Sequence, residues 1–486
     1  MTSVDVLVVG GGISGLSTAW WLARAGFSVE LWEAGDRPGG KILSPRTDGY
    51  LTERAAAMVM NFRPEVVELV REAGLEMAKT KRSPVAEARR YLLHQGQLES
   101  MPMRLGAFMA SPLWSLRGKL RMLAEPFIPA SGDENESVSR FISRRLGREV
   151  LEKAMEPFVA GTLASDSDRA CAASTLPRLI ALERRYGSIA AGIMVNRLLH
   201  RRQGSVSDTF SFHSGMDTLT DTLARTPGVQ LSTRHTVQEL VREQSGWRVT
   251  ATTATGERTL QAAQVVLATP APVAASLVAG LDAELADLLR GIRYAPVTVV
   301  HLGLDRASVR HPLDGIGFLV PRQEGRHLTG NLWMSTLFPN RAPTGKVLLT
   351  AYLGGARTPE VRDWNDDHIV AETVRELHKY LGLKAEPEMV RIDRHPQALP
   401  LYHGAYQARM QAIGTRLKEF SGLYLEANYQ GGVSVRDRIA RGRTLAEQIQ
   451  AAQRHTHGRP SCTLRYPRLG SSSQSSNVEC KSLLSG

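Results

Sequence analysis

Residues 4–40 restrict the fold more than any other stretch of the chain. The apolar run Val4-Asp5-Val6-Leu7-Val8-Val9 reads as a buried parallel strand, and it runs straight into Gly10-Gly11-Gly12-Ile13-Ser14-Gly15. Leu16, Ala19, Trp20 and Ala23 then recur at helical spacing, and Gly26 stands where a left-handed cap would end that helix. Ser28-Val29-Glu30-Leu31-Trp32 supplies a second strand, closed by Glu33, 21 residues after Gly12. Each glycine has a separate job: Gly10 permits the tight turn, Gly12 lets backbone approach a pyrophosphate, and Gly15 lets the helix pack on the strand. The amides and positive dipole end at the helix start, around Gly11, Ile13 and Ser14, suit that anion, and Glu33 suits a ribose hydroxyl. Strand, glycine turn, helix and acid agree on a dinucleotide-binding unit.

The next residues choose the dinucleotide. Ala34-Gly35-Asp36-Arg37-Pro38-Gly39-Gly40-Lys41 resembles the acid-x(3)-Arg-x-Gly-Gly-basic continuation of the flavoprotein superfamily that contains amine oxidases, phytoene desaturases and protoporphyrinogen oxidases. The resemblance implies FAD and adds Arg37, Gly39, Gly40 and Lys41 to the cofactor residues.

Length and charge narrow the class further. A chain of 486 residues has room for two or three domains, and 42% hydrophobic with 22% charged residues is ordinary for a globular protein. Cys171, Cys462 and Cys480 make neither a disulfide framework nor a metal cluster, which points to a reducing compartment. The fold is expected to begin at residue 4 with no signal peptide before it, and the uncharged run Val265 to Leu281 holds two prolines and starts like a strand rather than a membrane span. Net charge is +12, of which the segment from Arg454 onward contributes +4. The remainder is spread thinly, without the aromatic and basic interleaving of nucleic-acid binders, and fits a surface facing anionic lipid or an acidic substrate. No histidines carry metal-ligand spacing outside His455-x-His457 in the tail.

Along the chain, residues 64–73 read as a helix and Tyr91 to Leu98 as a hairpin turning at Gln95-Gly96. Strand signals vanish from Met101 to about Gln203, a helical insertion within which Arg104 to Arg121 mixes basic residues with Leu105, Phe108, Met109, Leu113, Trp114 and Leu116. Such a stretch suits either a membrane surface or an ordinary packed helix pair. Strand chemistry returns over 205–275, and 292–400 alternates strands with a helix at Asp366 to Leu381, as in a mixed-sheet domain. Leu423-Tyr424-Leu425, Gln430-Gly431-Gly432 and Val433 to Ile449 form a second strand-turn-helix, whose helix start suits the flavin pyrimidine edge. The expected architecture is α/β: a discontinuous Rossmann-like FAD domain (1–85, 205–275, 420–452), a substrate-side segment with the helical, membrane-facing insertion (86–204), a substrate-binding domain (276–419) and a disordered tail (453–486).

With these pieces placed, the chain resembles the oxygen-dependent protoporphyrinogen oxidase family from Val4 to about Ile449. The matching stretches are Ala88 to Leu92, Glu156 to Gly161, Ser174 to Leu179, Gly291 to Val297, Gly315 to Pro321 and Gly431 to Val435. The resemblance implies FAD, a porphyrinogen that gives up hydride to the flavin, dioxygen as electron acceptor, and a peripheral position on the inner face of the cell membrane. It also leaves a homodimer open. Residue by residue it implies that Arg90 pairs with a substrate propionate, that the Val237 backbone meets the adenine, and that Glu53, Asn428, Val433, Ser434 and Val435 belong to the cofactor site. The chain departs from the family in having Ala55-Ala56-Ala57 where a Gly-Pro-Asn type turn is usual, and Ala427-Asn428 for Gly-Asn. The first change removes a polar side chain beside flavin and substrate. It leaves coproporphyrinogen, an amine or carotenoid substrate, or a flavin-binding homologue of weakened activity as alternatives to protoporphyrinogen.

Overall fold

The strand Ser3–Val9 lies at the centre of a seven-stranded sheet, with Val29–Trp32 on one side and Gly256–Leu267 on the other, both parallel to it. Val229–Ser232 and Leu423–Leu425 extend the parallel set at its two ends. The first half of Gly256–Leu267 turns away to pair antiparallel with Gly246–Thr253, and that strand with Thr236–Glu243. The computed structural model describes residues 3–102, 105–133, 135–199 and 208–457. Arg104 and the tail beyond residue 457, with Cys462 and Cys480, lie outside the described residues.

The first strand reads as an unbroken apolar run because both of its faces are covered. Val6 and Val8 face a core shared with helix Ile13–Arg24 and the C-terminal helix Val435–His457, whereas Leu7 and Val9 face helices Ala271–Val278, Ala283–Arg290 and Tyr406–Leu417. The domain boundaries expected at 275 and 420 therefore cut through one core: residues 271–290 and 406–417 pack on the cofactor-domain sheet. The last helix likewise runs past the expected limit at 452, to His457. Gly26 ends the first helix at φ 91°, with the Phe27 amide donating back to the Leu22 carbonyl at 3.2 Å.

A second seven-stranded sheet runs Met389–Pro400, Tyr294–Asp305, Lys346–Gly354, Leu328–Trp333, Gly317–Leu319, Tyr91–His94, Gln97–Ser100. Helix Asp366–Leu381 covers the face bearing Leu349, Ala351 and Leu353. The Tyr91 hairpin turns at Gln95 and Gly96, both with positive φ, the geometry of a type I′ turn. A small sheet, Val59–Asn61, Asp208–Phe212 and Lys79–Lys81, lies beside these two. Residues 105–199 are helical and fill their own core with Leu113, Trp114, Val138, Phe141 and Ile142. Among the described residues no helix is long and apolar enough to cross a membrane.

That insertion closes on a fully buried ion pair, Arg145 with Glu125. Glu125 also accepts the Ser188 hydroxyl at 2.6 Å and the amides of Ile189 and Ala190 at 2.9 and 3.0 Å. Desolvation opposes its charge, but these donors and Arg145 outweigh it and hold the carboxyl below its ordinary range. A depressed folded-state value means stabilisation that is complete above the ordinary carboxylate pKa and is lost as pH falls through the folded one. Replacing the partner by Arg145→Met strands the carboxylate and should cost about 3–5 kcal/mol. The expected readout is a lowered urea midpoint with early proteolysis inside 105–199.

Candidate functional site

The glycine turn is built as a cradle. A Cβ on Gly15 would lie 1.9 Å from the Gly10 carbonyl oxygen, so only glycine lets the helix start this close to the strand. Gly10 holds φ 107°, and a Cβ there would press on the Ala268 carbonyl at 3.0 Å. At Gly12 a Cβ would meet nothing within 4 Å, and no protein group among the described residues accepts its amide. An open surface with a free donor at a helix N-terminus fits a pyrophosphate. Glu33 organises the turn from beneath: its Oε2 accepts the Gly11 amide at 2.6 Å and its Oε1 the Gly35 amide at 2.7 Å. The second glycine pair lies directly on the first, with the Gly39 amide donating to the Gly11 carbonyl at 2.8 Å.

The charged residues expected at the cofactor make these contacts within the protein. Arg37 staples its own loop, donating to the carbonyls of Pro38, Gly40 and Ile42 at 2.8–3.1 Å. Lys41 reaches across to the second sheet, where its Nζ donates to the carbonyls of Gln397 and Ala398 and lies 5.9 Å from the Tyr294 ring centre. Burial brings its pKa down from 10.5 to about 8. Glu53 is buried among Ser44 Oγ (2.6 Å), the Met216 amide (3.1 Å) and Arg341 Nη1 (2.9 Å). Burial pushes its carboxyl up to about 7, against the pull of Arg341, Ser44 and Met216.

The opposite wall is the turn before the last helix. Ser434 caps that helix, sharing a hydrogen bond of 2.5 Å with Asp437, and no described protein group accepts the amides of Val433, Ser434 and Val435. The approach to the turn is held from behind. Tyr402 and Tyr406 donate to the carbonyls of Asn428 (3.0 Å) and Tyr429 (2.5 Å), while buried Arg438 joins Glu426 (2.8 Å) to the carbonyls of Ala427 and Gln430. Val237 follows a segment whose Arg234 and His235 amides donate to the Gly35 and Glu33 carbonyls, which ties that segment to the strand end at Glu33. Tyr352 points away from the Ala351 and Leu353 face of its strand; desolvation first, then the Glu53 charge, raises its phenol.

Arg90 is exposed at the head of the hairpin and has no carboxylate partner among the described residues, unlike Arg89, which pairs with Asp314. Partial desolvation, with Arg82 nearby, lowers its guanidinium below the ordinary value. Arg341, Arg438, Tyr402 and Tyr406 are the residues that sequence reading missed. Their partners lie 8–288 residues away, and no local pattern marks them.

A family model described as flavin containing amine oxidoreductase matches residues 13–449. The chain belongs to this family. A chloroplastic protoporphyrinogen oxidase of Oryza sativa subsp. japonica is 31% identical over 467 residues, covering 89% of this chain and 85% of that one. Coproporphyrinogen III oxidase of Bacillus subtilis is 28% identical over 467 residues, covering 90% and 96%. Among solved structures, one from Exiguobacterium sp. 255-15 with a provisional protoporphyrinogen oxidase assignment aligns at a TM-score of 0.76 and 24% identity, over 93% of this chain and 99% of that one. Cyclohexylamine oxidase from Brevibacterium oxydans aligns at 0.65 with 15% identity, covering 93% and 99%, and shares the fold. As a member of the flavin-containing amine oxidoreductases, the chain is an FAD-dependent oxidoreductase, and the two facing helix starts fit that cofactor.

Two outcomes are expected. Gly15→Ala forces the helix off the strand and should yield protein that no longer retains flavin after desalting, read from its visible absorbance. For Lys41, between about pH 8 and 10.5 the unfolded chain holds a proton that the folded one has released, so rising pH favours the folded state. The melting temperature of wild type minus that of Lys41→Met should therefore climb across this window.

Proposed function

We propose that the protein oxidises protoporphyrinogen IX to protoporphyrin IX in haem or porphyrin synthesis, with dioxygen as terminal electron acceptor. Arg90 carries this reading at the level of the site: an exposed, unpartnered guanidinium at the edge of the second sheet is a receiver for a carboxylate, which it can grip with two parallel hydrogen bonds. The end-to-end similarity to proteins named for porphyrinogen oxidation supports the same substrate class.

FAD, when bound, supplies the hydride acceptor. The chain's own part is to hold and orient. The Gly12 cradle receives the pyrophosphate, Glu33 the ribose and the Val237 backbone the adenine. The free amides of Val433 to Val435 would hold the pyrimidine edge, where negative charge gathers on reduction, and the helix start would favour the reduced form. Arg90 fixes the macrocycle through a propionate. Coproporphyrinogen, with more carboxylates, is the second reading, supported by the Bacillus subtilis relative.

The helical insertion is read as the membrane-facing element, held peripherally on the inner face of the cell membrane. Two of its basic residues are turned to backbone, Lys119 donating to the carbonyls of Met109 and Ser111 and Arg121 to those of Arg144 and Arg145, while Arg117 stays exposed. Beside the exposed Arg117 an apolar row also faces outward. Leu116, Leu120, Leu123 and Phe127 are 71%, 59%, 58% and 86% exposed, with Ile193, Met194 and Leu198 also exposed on a neighbouring helix. A row of this kind finds a partner in lipid acyl chains.

Anaerobic mixing with protoporphyrinogen should bleach the flavin, and air should restore it with porphyrin fluorescence; an unbleached flavin overturns the assignment, and faster turnover of coproporphyrinogen shifts it to the second reading. Arg90→Ala should raise KM roughly tenfold, the loss of one charge-assisted pair. Leu120→Ser with Phe127→Ser should abolish sedimentation with vesicles while leaving flavin content intact.

A further inference from the structure

A second group of arginines stands beside the flavin-side turn. Arg178, on helix Pro177–Tyr186 of the insertion, lies with its guanidinium carbon 3.3 Å from the centre of the Phe62 ring. Arg436, one residue beyond Val435, lies 4.2 Å from the same ring and donates to the Met60 carbonyl at 3.0 Å. Arg63 follows Phe62 directly. Against these three cations the neighbourhood offers one carboxylate, Asp437, which is shared by Arg63 (3.3 Å), Arg436 (3.8 Å) and the Ser434 hydroxyl (2.5 Å). Arg178 has no acidic partner among the described residues.

This arrangement is costly as it stands. Arg436 occupies the first turn of a 23-residue helix, where the dipole end is positive and anions, not cations, are favoured. Desolvation, then the proximity of Arg436 and Arg63, lowers the Arg178 guanidinium, and desolvation with Arg63 does the same to Arg436. Both guanidinium carbons lie against the Phe62 ring, and Arg178 remains exposed. An incoming anion would relieve the mutual repulsion.

The placement identifies the anion. Met60 to Arg63 continue from the strand Val59–Asn61, just after the alanine run expected to border flavin and substrate. In the small sheet Asn61 pairs with Asp208, and Arg82, which acts electrostatically on Arg90, donates its amide to Thr209. Asn61, just before Phe62, and Arg82, near Arg90, thus lie at the same end of this three-stranded sheet, with one strand between them. We infer that Arg178, with Arg63 and Arg436 on the Phe62 ring, forms a second carboxylate-gripping subsite, taking a propionate of the same tetrapyrrole whose other acid reaches Arg90. This rests on the proposed porphyrinogen function and deepens it: a substrate with two or more propionates is held at two points.

The test uses the full chain loaded with FAD and three stable ring systems followed by fluorescence: coproporphyrin III with its four acids, protoporphyrin IX with two, and coproporphyrin tetramethyl ester with none. Arg178→Glu should weaken coproporphyrin binding roughly tenfold or more. It should leave the ester untouched, and Arg178→Lys should fall between. Equal weakening of acid and ester would mean that Arg178 only supports the fold, and unchanged binding of all three would remove the subsite while leaving the enzyme assignment standing. A wild-type protein that binds no porphyrin overturns both together. Flavin content and melting temperature of each variant exclude misfolding as the cause.

Discussion

Helices Ile13–Arg24 and Val435–His457 touch backbone to backbone, and the site depends on that closure. A Cβ on Gly442 would come within 3.0 Å of the Thr18 amide nitrogen. The Trp21 indole donates to the Ile439 carbonyl at 3.1 Å, and Ser17 to the Arg438 carbonyl at 3.4 Å, across 418 and 421 residues of chain. Both helices begin at turns that present free backbone donors. Fixing one helix on the other therefore fixes the separation of a pyrophosphate cradle from the turn that faces the far end of the same cofactor. No short-range interaction could set that distance, and the loop-closure entropy it costs is offset only because the shared core of Val8, Leu16, Trp20, Ile439 and Ile449 is fully assembled.

Buried carboxylates mark the other joints. Glu53 meets Arg341, Glu125 meets Arg145, and Glu426 meets Arg438, each pair almost wholly out of solvent. Such pairs add little net stability over well-packed apolar residues, because desolvation consumes most of the Coulombic gain. Their effect is on register: any misassembly of separated segments leaves a buried charge alone, which is far more costly. A discontinuous cofactor domain has unusual need of this. Against that background, where interior arginines are matched with acids, Arg90 and Arg178 at the rim stand out as charges with no internal use.

What could be read from the chain alone followed from how local each cause is. The Gly10 to Gly15 turn, the Gln95-Gly96 hairpin and the Asp366–Leu381 helix depend on residues within a turn or two of one another, and the structure places them as read. Continuous apolarity in Val6 to Val9 correctly implied a strand covered on both faces. The domain limits were not legible, because helices 271–290 and 406–417 choose their sheet by packing rather than by any composition shift. Nor were the protein contacts of Arg37, Lys41 and Glu53, since most of their partners are groups that only folding brings near. Within residues 104–121 the contacts of Lys119 and Arg121 with distant backbone were equally illegible, whereas Arg117, Leu116 and Leu120 stay exposed.

The alanine run ties these strands of reasoning together. Ala57 packs with Tyr50, Ala86 and Leu337, and Ala56 against the core of the first helix, so this border of the site is apolar filling with no side-chain donor. An apolar floor excludes water and strengthens every remaining electrostatic contact, but it exerts no torque on a ring of nearly fourfold shape. Orientation must then come from the periphery, where the carboxylates break the symmetry. Guanidiniums at two separate points of the rim supply that orientation, whereas a single one would leave the ring free to pivot about its own acid. On the proposed reading, the loss of polarity at residues 55–57, the unpartnered Arg90 and the excess of arginine at 63, 178 and 436 over the single carboxylate Asp437 are one adaptation, in which recognition moves from the face of the macrocycle to its edge.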